Sequence, residues 1–136
     1  RRRHLEELRH RLALRPDVVT IDYGLNDRRI GLPRAKRAWT TMIRQAQAAQ
    51  SRVILLTPTA DEAAALDDPA DPLNQHAAQI RTLAAEELVG LVDSLGRFAR
   101  YLREGGKLAD LMAQENHPNA QGHALVAAEL GRWFHA

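Results

Sequence analysis

Pro16-Asp17-Val18-Val19-Thr20-Ile21-Asp22-Tyr23-Gly24-Leu25-Asn26-Asp27 decides the fold, because an apolar run of strand length breaks off abruptly in a Gly-x-Asn-Asp turn. The run predicts a short buried strand over 18–23, of the kind that a parallel sheet covers on both faces. Ligands of open parallel sheets bind in the crevice beyond the carboxyl ends of the strands. The turn that opens at Gly24 is therefore placed for a site. Glycine there permits positive φ and a close approach of substrate, and the Asn26 carboxamide offers N–H donors to a developing oxyanion without carrying charge. Taken alone, Asn26 and Asp27 would equally make an Asx turn.

Working outward, Leu5, Leu8 and Leu12 share one face of a predicted helix that ends near Arg15-Pro16. Downstream, 24–31 reads as a loop. Pro33 opens a helix with Trp39, Met42, Ile43 and Ala46 on one stripe, and 53–56 forms a second strand. Segment 57–72 is an irregular, acidic surface loop broken by Pro58, Pro69 and Pro72. A helix over 74–87 turns Ala77, Ile80, Ala84 and Leu88 inward, and 89–92 is a third strand. A short helix over 98–103, a Gly105-Gly106 turn and a helical turn over 108–112 come next. The last helix starts near Asn119 and carries Val126, Leu130, Trp133 and Phe134 on one face. Helices alternating with strands predict an α/β fold with a parallel sheet. Three strands make that sheet thin, so a further N-terminal strand is expected to be missing from it.

A chain of 136 residues with 45% hydrophobic content predicts one domain, 1–136. The net charge of +2, spread along the chain, is too small to predict nucleic-acid or membrane binding. The absence of cysteine excludes disulfides, thiolate metal sites and a cysteine nucleophile. No apolar stretch approaches the roughly 20 residues of a membrane span. The Arg-rich start, with Arg9, Arg11 and Arg15, reads as the solvated face of the first helix. Arg1-Arg2-Arg3 without a methionine reads as a start inside a longer protein, so a signal peptide and the compartment stay open.

A second chemical segment, Glu115-Asn116-His117-Pro118-Asn119-Ala120-Gln121-Gly122-His123, lies far downstream. His117 is predicted in a loop just before Pro118 and Asn119, which can start a helix, and histidine is the usual general base near neutral pH. His117 and His123 have no third ligand at metal spacing, and His4, His10, His76 and His135 are scattered, so no metal site is predicted. No Gly-x-Gly-x-x-Gly or phosphate loop occurs. Arg28 and Arg29 would rim the crevice or pair with Asp22 or Asp27.

Together Gly24-Leu25-Asn26-Asp27 and His117-Pro118-Asn119 with Gly122-His123 resemble two of the four signature blocks of the SGNH/GDSL hydrolases, a family of esterases and lipases. The resemblance runs from Pro16 to the end and implies a three-layer α/β/α, flavodoxin-like parallel sheet, of which this chain is the C-terminal portion. It implies ester hydrolysis by a serine nucleophile through an acyl-enzyme, on a small-molecule or carbohydrate ester, with no metal or organic cofactor. In that scheme His117 is the base, and Asn26 serves the oxyanion hole beside Gly24, supported by Asp27.

The family places an aspartate three residues before the histidine, and here that position is Gln114. A glutamine carbonyl can hold the ring but cannot stabilise an imidazolium by charge. Glu115 and Asp110 are the other candidates to orient His117. The Gly-Asp-Ser block is absent, and Ser51 and Ser94 are the only serines. Ser51 precedes its strand, and Ser94 stands out of family order, so the nucleophile is expected upstream of this chain. The rival expectation is a non-catalytic, hydrolase-like binding or structural module. An incomplete sheet also leaves an edge through which the chain would self-associate.

Overall fold

The computed structural model describes residues 2–134, so Arg1 and His135 of the sequence reading lie outside the described residues. Helix α1 (Arg2–Leu12) leads into strand β1 (Val18–Ile21), the helical turn α2 (Gly24–Asp27), α3 (Leu32–Ala48) and β2 (Arg52–Leu56). After an irregular stretch come α4 (Pro72–Glu87), β3 (Gly90–Val92) and α5 (Ser94–Arg103). A 3-10 turn (Leu108–Asp110), the short strands β4 (Met112–Gln114) and β5 (His117–Pro118), α6 (Ala120–Gly131) and a final 3-10 turn (Arg132–Phe134) complete the order.

The main sheet is parallel in the order β1-β2-β3, with Val19 opposite Val53 and Leu55 opposite Leu91. The central strand β2 is buried on both faces because its side chains alternate. Val53 and Leu55 meet Trp39, Met42 and Ile43 of α3 and Ile80 and Leu83 of α4. Ile54 and Leu56 meet Val92 and, on α6, Val126 and Leu130. These are the three α/β/α layers that the family resemblance implied. A second core, of Leu73, Ala77, Leu95, Phe98, Leu111 and Met112, fixes α5 and the β4–β5 hairpin beside α4.

Local chemistry sets the element ends. Asp71, Asp93 and Asn119 each accept a backbone N–H at the start of α4, α5 and α6, satisfying donors that a helix leaves free. Thus Asp71, one of the acids that give the 57–72 loop its charge, is a helix cap. Leu88 is the left-handed cap of α4, at φ 55°, and is 90% exposed instead of facing inward. Trp133 and Phe134 lie beyond α6 and remain largely exposed, although the Trp133 indole N–H donates to the Leu91 carbonyl at 3.0 Å.

Further boundaries differ from the sequence reading, among them the start of α5 at Ser94 rather than at 98. Strand β1 stops at Ile21, and Gly24–Asp27 coils into a helical turn rather than an open loop. Instead of a helical turn over 108–112, a short 3-10 turn hands over to β4, which pairs antiparallel with β5. His117 consequently sits on a strand.

Trp39 ties α3 to the turn: its Nε1 donates to Asp27 Oδ2 at 2.6 Å, inside the protein. Trp39→Phe removes the donor and leaves the carboxylate buried without it, a loss of about 1–3 kcal/mol. Urea unfolding should show a lower midpoint with an unchanged slope.

Candidate active site

Three chain segments leave the carboxyl edge of the main sheet: α2 after β1, loop 57–71 after β2, and Asp93 after β3. Gly24 is buried in α2, and its φ lies outside the left-handed region. A Cβ there would stand 3.0 Å from both Ile80 Cδ1 and Pro58 Cδ. Close packing of α4 and the β2 loop against the turn therefore favours glycine here, and positive φ does not enter. Within the same turn Asn26 is exposed while Asp27 is 4% exposed and holds Trp39. The Asn26 carboxamide makes no side-chain hydrogen bond among the described residues and faces solvent.

Arg28 pairs with neither Asp22 nor Asp27. Its Nη2 donates to Asp61 Oδ2 at 2.7 Å, and its Nε donates to the Leu25 carbonyl at 2.9 Å. Asp61, read as part of an acidic surface loop, is in fact buried. His76 of α4, which the sequence pattern did not single out, is also buried, and desolvation lowers its pKa against the opposing pull of Asp27.

Asp22, just past β1, is open to solvent as a residue, yet desolvation of its carboxyl raises the pKa from 3.8 to about 6. At the end of β3, burial would raise Asp93 as well. Hydrogen bonds from Arg81, Gly96 N–H and Thr57 overcome that and hold it below the usual carboxylate range. Asp93 thus binds the ends of β2 and β3 together.

His117 is exposed on β5, and the hairpin register sets Gln114 directly opposite it. Such cross-strand pairs place their side chains on one face, about 4.5–5.5 Å apart at Cβ. Glu115 lies in the connecting turn, where its carbonyl accepts from Glu62 N–H at 2.8 Å. Asp110 is engaged elsewhere, its Oδ2 accepting from Tyr101 Oη at 2.9 Å and Lys107 N–H at 3.0 Å. Of the three residues considered for orienting His117, the hairpin brings Gln114 alongside it and commits the Asp110 carboxylate to other donors.

Neither serine is placed to attack a substrate. Ser51 Oγ donates to the Pro16 carbonyl at 2.7 Å, and Ser94, at the start of α5, is 1% exposed. Among the described residues no three His, Asp or Glu side chains gather as metal ligands. Among the described residues, no helix is long and apolar enough to cross a membrane.

In sequence, residues 1–125 match the GDSL-like Lipase/Acylhydrolase family. No curated protein matches the chain in sequence. In structure it resembles Axe2, an acetylxylan esterase from Geobacillus stearothermophilus. A catalytic mutant of Axe2 with an aspartate replaced by alanine aligns at TM-score 0.81 and 22% identity, over 96% of this chain and 65% of that one. A catalytic histidine-to-alanine mutant aligns at TM-score 0.76 and 22% identity, over 89% and 60%. LAE5, an alpha/beta hydrolase enzyme from the metagenome of Lake Arreo, aligns at TM-score 0.74 and 24% identity, over 88% and 60%. The chain therefore spans about 60–65% of the length of these structures.

Two outcomes follow from the geometry. A Cβ at Gly122 would collide with the Leu111 carbonyl oxygen and approach Pro118 Cβ to 2.9 Å, so Gly122→Ala must displace α6 from the hairpin. A loss of about 1–3 kcal/mol is expected from such overpacking, with the largest amide shifts in a heteronuclear NMR spectrum at Leu111 and His117. For Asp22 the folded pKa lies above the unfolded one. The folded state then binds more protons between about pH 4 and 6, and stability falls as pH rises through that window. Asp22→Asn should raise the thermal midpoint over the parent at pH 7.5 and leave it nearly unchanged at pH 3.5.

Proposed function

Because the chain belongs to the GDSL-like lipase/acylhydrolase family, we propose that it forms part of a serine ester hydrolase acting on a small acyl or carbohydrate ester through an acyl-enzyme. The observation that carries this reading is the placement of Asn26 and His117. Both side chains are exposed, one on the turn beyond β1, the other on a hairpin tied by Glu62 to the loop beyond β2. In this scheme His117 takes the proton of the attacking serine and later activates water. Asn26 donates to the oxyanion of the tetrahedral intermediate. The chemistry calls for no metal or organic cofactor, and the fold is a single domain.

The nucleophile, in this reading, comes from residues upstream of Arg1. The unpaired edge of β1 favours such an addition: a groove of about 370 Å³ runs along it, between Leu8, Arg11 and Leu14 on one side and Val18 to Ile21 on the other. A parallel strand laid there would end beside Asn26. If no such segment exists, the same edge offers self-association between copies. The acetyl-carbohydrate esters named for Axe2 are the first substrates to test.

Gln114 and the two sequestered serines favour the second reading, a non-catalytic hydrolase-like module. One experiment separates the two. The chain, extended upstream as its gene encodes, is treated with a fluorophosphonate and assayed on p-nitrophenyl acetate and acetylated xylo-oligosaccharides. Labelling of an upstream serine is expected, with kcat/KM falling about 10²–10⁴-fold in His117→Ala and about 10²–10³-fold in Asn26→Ala. Gln114→Asp should raise kcat by supplying the missing charge beside His117. Absence of labelling, or activity indifferent to His117→Ala, rejects the esterase and leaves the module.

A further inference from the structure

We infer that the Arg28–Asp61 ion pair is a positioning clamp that fixes the distance between the Asn26 turn and the His117 hairpin. This rests on the proposed roles of Asn26 and His117, but the coupling itself is a property of this structure. Arg28 is the second residue after Asn26 and Asp61 lies on the loop after β2, 33 positions away in sequence.

The guanidinium works with two prongs. Its Nε donates to the Leu25 carbonyl at 2.9 Å, which closes the α2 turn around Asn26, and its Nη2 reaches Asp61 Oδ2 at 2.7 Å. The pair is shielded: the side chains retain 24% and 8% exposure. Ion pairs in such surroundings are screened less than surface ones, and a planar guanidinium that holds two acceptors at once fixes their relative orientation. The other Asp61 oxygen, Oδ1, accepts from Ala63 N–H at 2.9 Å, and the Asp61 carbonyl accepts from Ala64 N–H at 3.0 Å. The carboxylate therefore orders residues 61–64 into a tight turn.

Glu62 sits inside that turn, and its N–H donates to the Glu115 carbonyl at 2.8 Å. Glu115 is at the tip of the hairpin, two residues before His117. At its base the hairpin is held separately, by Asn119 N–H to the Leu111 carbonyl at 2.8 Å and Asn119 Nδ2 to the Asp110 carbonyl at 2.8 Å. Strands of three and two residues cannot hold their own orientation in water. The bond to Glu62 is what stops the tip from swinging about its base. The path from Asn26 to His117 thus runs Arg28, Asp61, Glu62, Glu115.

The arrangement separates two duties within one motif. Asp27 anchors the turn inward to Trp39, which holds it in the core. Arg28, the next residue, anchors the turn outward to the segment that carries the other functional side chain. Removing Asp27 would loosen the fold, whereas removing Arg28 would leave both halves folded and change where they stand relative to each other.

The test compares Asp61→Asn, which is isosteric, and Arg28→Met with the double variant, on isotope-labelled full chain. Amide hydrogen exchange of Glu62 and the His117 ring resonances across pH are followed by NMR. Each single variant is expected to speed Glu62 exchange at least tenfold and to shift the His117 ring signals. The double variant should add little further, since both act on one bond, and Arg28→Lys should recover part of the effect through its one ammonium. If the variants only lower the unfolding midpoint, with Glu62 exchange and His117 signals as in the parent, the clamp is a stability element and the inference fails. If the coupling appears in a chain whose extended form hydrolyses no ester, the clamp stands and the catalytic reading falls.

Discussion

The buried hydrogen bond from the Trp39 indole to Asp27 is the constraint on which the placement of the Gly24–Asp27 turn depends. A carboxylate taken out of water must find donors or lose its charge. Trp39 supplies one from α3, at the centre of the main core. This fastens a four-residue turn, too short to be stable as a helix, to the longest helix of the fold. Everything else at the motif follows from that attachment. With Asp27 turned inward, its neighbours Asn26 and Arg28 project elsewhere, one to solvent and one to Asp61. Gly24 completes the fit because a Cβ there would press on Ile80 and Pro58.

Charge in this protein holds chain segments as well as facing solvent: Glu62, Asp67 and Asp68 of the central region are exposed, while other carboxylates bind parts of the fold together. Asp61 is neutralised by Arg28, Asp71 caps α4, and Asp93 is shared among Arg81, Thr57 and the first turn of α5. Each of these carboxylates accepts hydrogen bonds from neighbouring donors. Asp22 is the exception, since desolvation works on it without such help. It stands at the end of β1, beside the turn that holds Asn26, and its cost at neutral pH falls on the carboxyl edge of the sheet.

The layer architecture was legible in the sequence because it rests on short-range periodicity. The stripe of Trp39, Met42, Ile43 and Ala46 and the apolar run of β2 leave few alternatives. Gly24, Asn26 and His117 could be singled out in the sequence through their order and neighbours. The β4–β5 hairpin was not, because Gln114, Glu115 and Asn116 show no alternation and its strands are held by Leu111, Asn119 and Glu62 from outside. Leu88 was misplaced because a left-handed cap ends the helix before the stripe does. The partner of Arg28 could not be read from local pattern at all. Asp22 and Asp27 are nearer in sequence, but one follows a strand end and the other is held by an indole.

The same logic bears on Gln114. Its position opposite His117 is set by hairpin register, and that register is fixed by packing and backbone bonds that do not involve the Gln114 side chain. A change of charge there would therefore leave the placement of His117 intact. Geometry and electrostatics are separable at this site: the scaffold can keep the imidazole positioned while the residue beside it decides how well a positive ring is tolerated. In a low-dielectric crevice an unassisted imidazolium is costly. On an exposed hairpin, solvent supplies part of what an aspartate would give. In the proposed reading, the openness of His117 is the physical condition that makes a glutamine at this position compatible with general-base chemistry.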